Sequence, residues 1–166
     1  MENLPAKLLV VDDHQVIGEL LDNFFFFFFE YRICSIVSSI SEAKQELKQN
    51  KIDICIIDLS LEDEDGIELI NYIKKEHPSI KTLVFTMHIG SIMISEAISS
   101  GVDAYVPKSS TLDELKSALD EISQDKKYFS IEVTNRLIDG LSDVKLKHQS
   151  EGRASKLTKR ENQILQ

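Results

Sequence analysis

The chain is short of positive charge. Its 166 residues carry 19 Lys and Arg against 28 Asp and Glu, for a formal net charge of −9 and a pI of about 4.9. A surface of that sign repels phosphodiester backbones, so the residues present offer no nucleic-acid-binding face. Cysteine is scarce as well: Cys34 and Cys55 are the only two, and each lies inside an apolar, strand-like run. Both are expected to be buried, reduced thiols, which favours the cytoplasm over a disulfide-stapled secreted domain. No apolar run approaches the ~18 residues of a membrane span. The opening Met-Glu-Asn-Leu-Pro lacks a cationic stretch leading into an apolar one, so no signal peptide is expected. The length suits one domain plus an appendage, and falls short of two full domains.

What the chain does have is apolar runs that end on charge. Ile52 to Leu59 has six apolar residues in eight and carries Asp58 near its end. Without period-two alternation it reads as a central strand of a parallel sheet, covered on both faces. An ionised carboxylate in a dry core is costly, so Asp58 is expected at the strand's carboxyl end, where open α/β sheets bind ligands. Lys7 to Val11 has the same form and runs into Asp12 and Asp13. If the two strands are neighbours, three carboxylates converge and repel one another unless a cation joins them. Mg²⁺, a hard cation that prefers oxygen ligands, suits such a site.

Helices alternate with the strands. His14 to Phe29 reads as the first helix, ending in six consecutive phenylalanines whose rings would point in every direction. Such a patch marks a partner surface, or else is an accident of the coding sequence. Ile33–Val37 is a second strand and Ser41–Gln49 a second helix. The acidic loop from Ser60 to Gly66 precedes a helix over Ile67–Glu76 that Pro78 ends. Lys81–Met87 is the fourth strand and includes Thr86. Ser91 is read as the cap of a fourth helix that Gly101 ends. Val102–Val106 is the fifth strand, followed by Pro107 and Lys108. Thr111 and Glu114 form a capping box for the fifth helix. Five strand–helix alternations imply a doubly wound parallel α/β sheet of five strands. The flavodoxin-like order 2-1-3-4-5 would bring Asp12, Asp13 and Asp58 into one pocket, with Thr86 and Lys108 on its other side.

Beyond residue 125 the chain turns polar. One amphipathic helix is expected over about 130–141 within a linker of 126–156, whose stretch 143–156 reads as flexible. Thr158 and Glu161 make a second capping box, starting a helix that includes Ile164 and Leu165.

The set Asp12-Asp13, Asp58, Thr86 and Lys108, each at or near a strand end, resembles the receiver domain of two-component response regulators over roughly residues 6–125. Tyr128-Phe129-Ser130 followed by a helix, and then Leu157 to Leu165, is similar to the NarL/FixJ class, in which a LuxR-type helix-turn-helix follows the receiver. The resemblance implies a receiver at 1–125, the linker, and at 157–166 the first helix of a truncated DNA-binding domain. It implies Asp58 as the acceptor of a phosphoryl group from a sensor histidine kinase or phosphotransfer protein. Mg²⁺ (or Mn²⁺) would be held by Asp13, Asp58 and the Ser60 backbone carbonyl, with Asp12 acting through water. Lys108 and Thr86 would contact the phosphoryl oxygens, and Tyr105 would be the aromatic switch residue, moving inward as Thr86 shifts. The face of the fourth helix, fifth strand and fifth helix would carry the signal to a partner or a second protomer. DNA would be bound only through the rest of the C-terminal domain, and no enzymatic turnover is implied.

Departures from the family's pattern shape the expectations. Glu62 stands where a proline is common, which bears on loop shape and metal affinity, and Met87 stands where a small residue is common, so a long-lived phosphoryl group is expected. A receiver that signals without phosphorylation is the alternative. A Mg²⁺-dependent phosphohydrolase is a weaker one, because Ser60 occupies the place of the acid such an enzyme needs two residues past its nucleophile. His14, His77, His88 and His148 show no metal-ligand spacing, and Glu62 to Asp65 reads as a solvated loop.

Overall fold

A computed structural model describes the backbone of residues 4–164 and the side chains of residues 4–154. In chain order the elements are β1 (Ala6–Val11), α1 (Gln15–Phe25), β2 (Tyr31–Val37), α2 (Ile40–Gln49), β3 (Ile54–Ile57), β4 (Ser60–Leu61), β5 (Glu64–Asp65), α3 (Gly66–Glu76), β6 (Lys81–Thr86), α4 (Ser91–Ser99), β7 (Ala104–Pro107), α5 (Leu112–Ser123), β8 (Tyr128–Phe129) and α6 (Ile131–Ile164). The main sheet runs β2-β1-β3-β6-β7-β8, and all its pairings are parallel. The five strands expected from sequence therefore take the flavodoxin-like order, with helices on both faces.

The unbroken apolar runs are explained by two cores. Leu9, Val11, Cys55 and Ile57 face one side, where Ala43, Leu69, Ile73 and Ile94 of α2, α3 and α4 pack on them. Leu8, Val10, Ile54 and Ile56 face the other, against Leu21, Leu115 and Leu119 of α1 and α5. Each such side chain contributes about 1.5–3 kcal/mol on burial. Burial also pushes the Cys55 thiol far up from its ordinary value, leaving it protonated and inert.

Several local readings are corrected. A sixth strand, β8, joins the edge beyond β7, where the Tyr128 N–H donates to the Asp103 carbonyl at 3.0 Å. The Tyr128 hydroxyl donates to Glu114 Oε1 at 3.1 Å. Only the Thr111 half of the first capping box forms, with Oγ1 accepting from the Glu114 N–H at 3.2 Å. Cys34 is exposed, because β2 is an edge strand and Cys34 falls at the register shift between its Leu8 and Leu9 pairings. The first helix stops at Phe25, since Glu30 must already accept from the Ala6 N–H at 2.8 Å to enter β2 in register. The phenylalanine run consequently splits. Phe25 is buried, Phe24 and Phe28 pack beside it, and Phe26, Phe27 and Phe29 remain exposed. Ser91 is the first residue of α4 and Gly90 its cap.

A further correction concerns the end of the chain. Where 143–156 reads as a flexible linker, α6 continues unbroken from Ile131 to Ile164. The stretch holds no proline, and Lys, Glu, Gln and Ala favour helix enough to carry it through Gly152. Ser130 starts the helix, its Oγ accepting from the Val133 N–H at 3.2 Å. Val133 is buried, and Gly140 passes so close to α4 that a Cβ there would stand 2.4 Å from Ser91 Cβ. The side chains of the expected Thr158–Glu161 capping box lie outside the described residues.

Candidate functional site

The register of the sheet assembles the site. Val11 of β1 pairs with Ile57 of β3, so the next residues, Asp12 and Asp58, emerge side by side. Their backbone N–H groups are held by the neighbouring strands, Asp58 by the Val11 carbonyl at 2.9 Å and Asp12 by the Val37 carbonyl at 3.0 Å. On the other flank Thr86 pairs with Pro107, and the Lys108 N–H donates to the Thr86 carbonyl at 2.8 Å. Asp12, Asp58, Thr86 and Lys108 thus meet at the carboxyl edge of the sheet.

Lys108 closes the cluster. Its Nζ lies 2.7 Å from Asp58 Oδ2 and 2.7 Å from Asp12 Oδ2, and its side chain is only 5% exposed. Burial alone would lower the lysine pKa. Hydrogen bonds to Asp12 and Asp58, and their charges, outweigh burial and hold the ammonium above its ordinary value. Asp58 Oδ1 also accepts from the Ser60 N–H at 3.2 Å. Asp13 Oδ2 accepts from the Glu62 N–H at 2.8 Å, tying β1 to the acidic loop, which forms the two-stranded β4-β5 ribbon. Thr86 is fully buried, and its Oγ1 accepts from the His88 N–H at 3.3 Å.

Tyr105 is already inward: it is fully buried and its hydroxyl donates to the His88 carbonyl at 2.6 Å. Burial, with the Asp58 charge second, raises its phenol well above the ordinary value. Ser60 Oγ is hydrogen-bonded to His88 Nε2. Sequence reasoning missed His14. Its Nδ1 stands 3.0 Å from Asp13 Oδ1 and 3.1 Å from Asp12 Oδ1, and together with Asp58 it completes a set whose ligand atoms all lie within 4.8 Å. His14 shows no metal-ligand spacing in the sequence, yet its ring nitrogen stands among the carboxylate oxygens of Asp12, Asp13 and Asp58. Direct adjacency to Asp12-Asp13 was the available signal.

The cluster fits a divalent cation. Asp13 Oδ1 is buried and makes no hydrogen bond among the described residues, with the His14 ring nitrogen 3.0 Å away as its nearest potential cation, so a further cation has an acceptor oxygen open to it. The oxygen-rich set with one nitrogen is a donor set for Mg²⁺ or Mn²⁺.

Gly66 keeps the acceptor loop in place. A Cβ there would come within 2.4 Å of the Asp58 carbonyl oxygen and 2.8 Å of Leu59 Cα, both backbone atoms that cannot swing aside. Gly66→Ala is expected to cost about 1–3 kcal/mol and to lower the urea midpoint without changing the slope. An unchanged midpoint would show that the loop yields freely.

Over residues 8–120 the sequence matches the response regulator receiver domain. The chain belongs to that family. The chain is 30% identical to the response regulator protein VraR of Staphylococcus aureus (strain Mu3) over 165 residues, covering 98% of this chain and 75% of that one. Its fold is similar to the crystal structure of a LuxR-family two-component response regulator from Aurantimonas sp. SI85-9A1, with a TM-score of 0.78 and 27% identity, over 83% of this chain and 99% of that one. It also shares the fold of the isolated receiver domain of RcsB from Salmonella enterica serovar Typhimurium in the presence of phosphomimetic BeF3⁻, with a TM-score of 0.75 and 23% identity over 80% and 99% of the two chains. No helix among the described residues is long and apolar enough to cross a membrane.

Proposed function

We propose that Asp58 accepts a phosphoryl group from a sensor histidine kinase or phosphotransfer protein in the cytoplasm. The observation that carries this is the Lys108 bridge, which holds a buried, oriented Asp58 carboxylate beside two further acids at the sheet edge. An Asp58 oxygen attacks phosphorus, the phosphorus–nitrogen bond of the donor phosphohistidine breaks, and the imidazole nitrogen keeps the electron pair. Asp12, Asp13, Asp58 and the Ser60 carbonyl would hold Mg²⁺ (or Mn²⁺). When bound, the ion neutralises charge on the phosphoryl oxygens. Lys108 turns from the carboxylates to one phosphoryl oxygen and Thr86 Oγ1 donates to another.

The added charge of about −1.5 to −2 shifts the population of the face formed by α4, β7 and α5, with Tyr105 held inward. That face would signal to a second protomer or to a DNA-binding domain following the receiver, which we place at about 1–125, from residue 157 onward. DNA contact would then belong to the remainder of that domain. The response regulator relatives support a signalling role over turnover of a substrate.

Intact mass after incubation with acetyl phosphate and Mg²⁺ tests this reading. One added phosphoryl group is expected, absent without metal and absent in Asp58→Asn. An adduct that persists in Asp58→Asn would move the acceptor elsewhere. No adduct from either a small donor or a phosphorylated histidine phosphotransfer domain would favour signalling without phosphorylation. Met87 is 69% exposed beside the site, which leaves it free to obstruct small donors and water.

A further inference from the structure

We propose that α6 is a strap on the signalling face of this receiver: it lies on α4 while Lys108 bridges Asp12 and Asp58, and phosphorylation of Asp58 lifts it off. The inference rests on the reading of Asp58 as the phosphoryl acceptor. The α4 part of the face assigned above to output is partly covered, and its cover is the chain's own last helix. Val133, Leu137 and Gly140, spaced by four and then three residues, form the seam that α6 turns to the receiver. Val133 is buried, Leu137 packs on the core that holds Ile94 and Ala97 of α4, and Gly140 meets Ser91, the first residue of α4.

Hydrogen bonds tie this contact to the acceptor site. The His88 N–H donates to Thr86 Oγ1 at 3.3 Å and the His88 carbonyl accepts from the Tyr105 hydroxyl at 2.6 Å, which fixes the loop that leads through Gly90 into α4. The backbone carbonyl of Tyr105 accepts from the Ser130 N–H at 3.3 Å, and Ser130 in turn starts α6. When Thr86 Oγ1 turns to a phosphoryl oxygen, the support under His88 changes. The first turn of α4 then moves against a root of α6 that stays anchored on β7.

The contact between Gly140 and Ser91 has no slack. A Cβ at Gly140 would collide with both Ser91 Cβ and Oγ, so the two helices stand as near as a glycine allows. Packing this close does not deform by small steps; it holds or it parts. The rest of the interface favours parting. A cleft of about 590 Å³ lies beside the contact, lined among others by Ile67, Ile92, Ser95, Leu141 and Val144. Ile92 and Leu141 are 77% and 60% exposed at its rim. Among the described residues of α6 only Val133 is buried, and every residue from Leu141 to Ala154 is exposed. So little apolar contact places the helix at the low-stability end of the fold, where switching elements are drawn from.

The test uses the full 166-residue chain with beryllofluoride and Mg²⁺ as the phosphoryl mimic. Because the chain has no tryptophan, Leu141→Trp supplies a single reporter at the cleft. Beryllofluoride is expected to shift its emission to the red and to raise its quenching by iodide about twofold. Adding Gly140→Ala is expected to give the shifted emission without beryllofluoride. In calorimetry without the reporter, Gly140→Ala is expected to bind beryllofluoride at least about fivefold tighter, since a strap that favours one state opposes the other by the same factor. Gly152→Ala is the control: it lies in the same helix, gains the same helix propensity and has nothing within 4 Å of its added Cβ. It should match the wild type, and Ser91→Gly added to Gly140→Ala should restore wild-type emission and affinity. Emission that does not move when beryllofluoride binds would overturn the strap and leave the Asp58 reading standing. Equal affinities of Gly140→Ala and wild type would do the same, as would an equal gain in Gly152→Ala or an effect that Ser91→Gly fails to reverse. Failure of every variant to bind beryllofluoride would remove both readings.

Discussion

Lys108→Met is expected to lower the stability of the metal-free receiver by about 3–5 kcal/mol, because it leaves two buried carboxylates without their cation. Asp12 and Asp58 are 5% and 3% exposed, and each gives Lys108 an oxygen at 2.7 Å. Urea unfolding with and without Mg²⁺ measures the effect, and saturating Mg²⁺ is expected to recover much of the loss by occupying the same carboxylates. The pH dependence has a definite sign. The Lys108 pKa is raised in the folded state, so its contribution is complete below the ordinary lysine value near about 10.4 and fades as pH rises through the folded one. Above neutral pH the stability gap between wild type and Lys108→Met should accordingly persist until strongly alkaline solution. Equal metal-free midpoints at neutral pH would show that the two carboxylates are solvated without the lysine.

The site was legible because each of its main residues punctuates a strand. Asp12, Asp58 and Lys108 follow runs of apolar residues, Thr86 ends another, and parallel register then places them together whatever the loops do. Features that depend on what lies across space were not legible. Cys34 sits in an apolar run like that of Cys55, but one strand is at the edge and the other at the centre. β8 is two residues long and exists through its pairing with β7. His14 shows no ligand spacing in sequence, since its partners are its two immediate predecessors and a residue from another strand. The first helix was read too long through the phenylalanine run for a related reason. As an isolated helix it would expose rings on all sides, yet the return into β2 breaks the helix and gives Phe25 and Tyr31 an edge contact at 5.8 Å between ring centroids.

At the opposite end of the sheet, Asp103→Ala is expected to cost about 2–4 kcal/mol, the lower part of the range for a broken buried pair because Lys127 is about half exposed. Asp103 Oδ2 accepts from Lys74 Nζ at 2.5 Å and from the Thr82 N–H at 2.8 Å, while Oδ1 accepts from Lys127 Nζ at 2.8 Å. One carboxylate thereby joins α3, the start of β6 and the segment leading into β8. Asp103→Asn keeps an acceptor for the Thr82 N–H and should lose less than alanine, which leaves that buried donor bare. Burial acts to raise the Asp103 pKa, but the hydrogen bonds from Lys127, Lys74 and Thr82 prevail and lower it. With the folded value depressed, its contribution is complete above the ordinary carboxylate value near about 4 and is lost as pH falls through the folded value. Urea midpoints of wild type and Asp103→Ala should run parallel from pH 7 to pH 5 and converge towards pH 3. A gap that stays constant to pH 3 would mean that packing around Asp103, and not its charge, holds these three segments together.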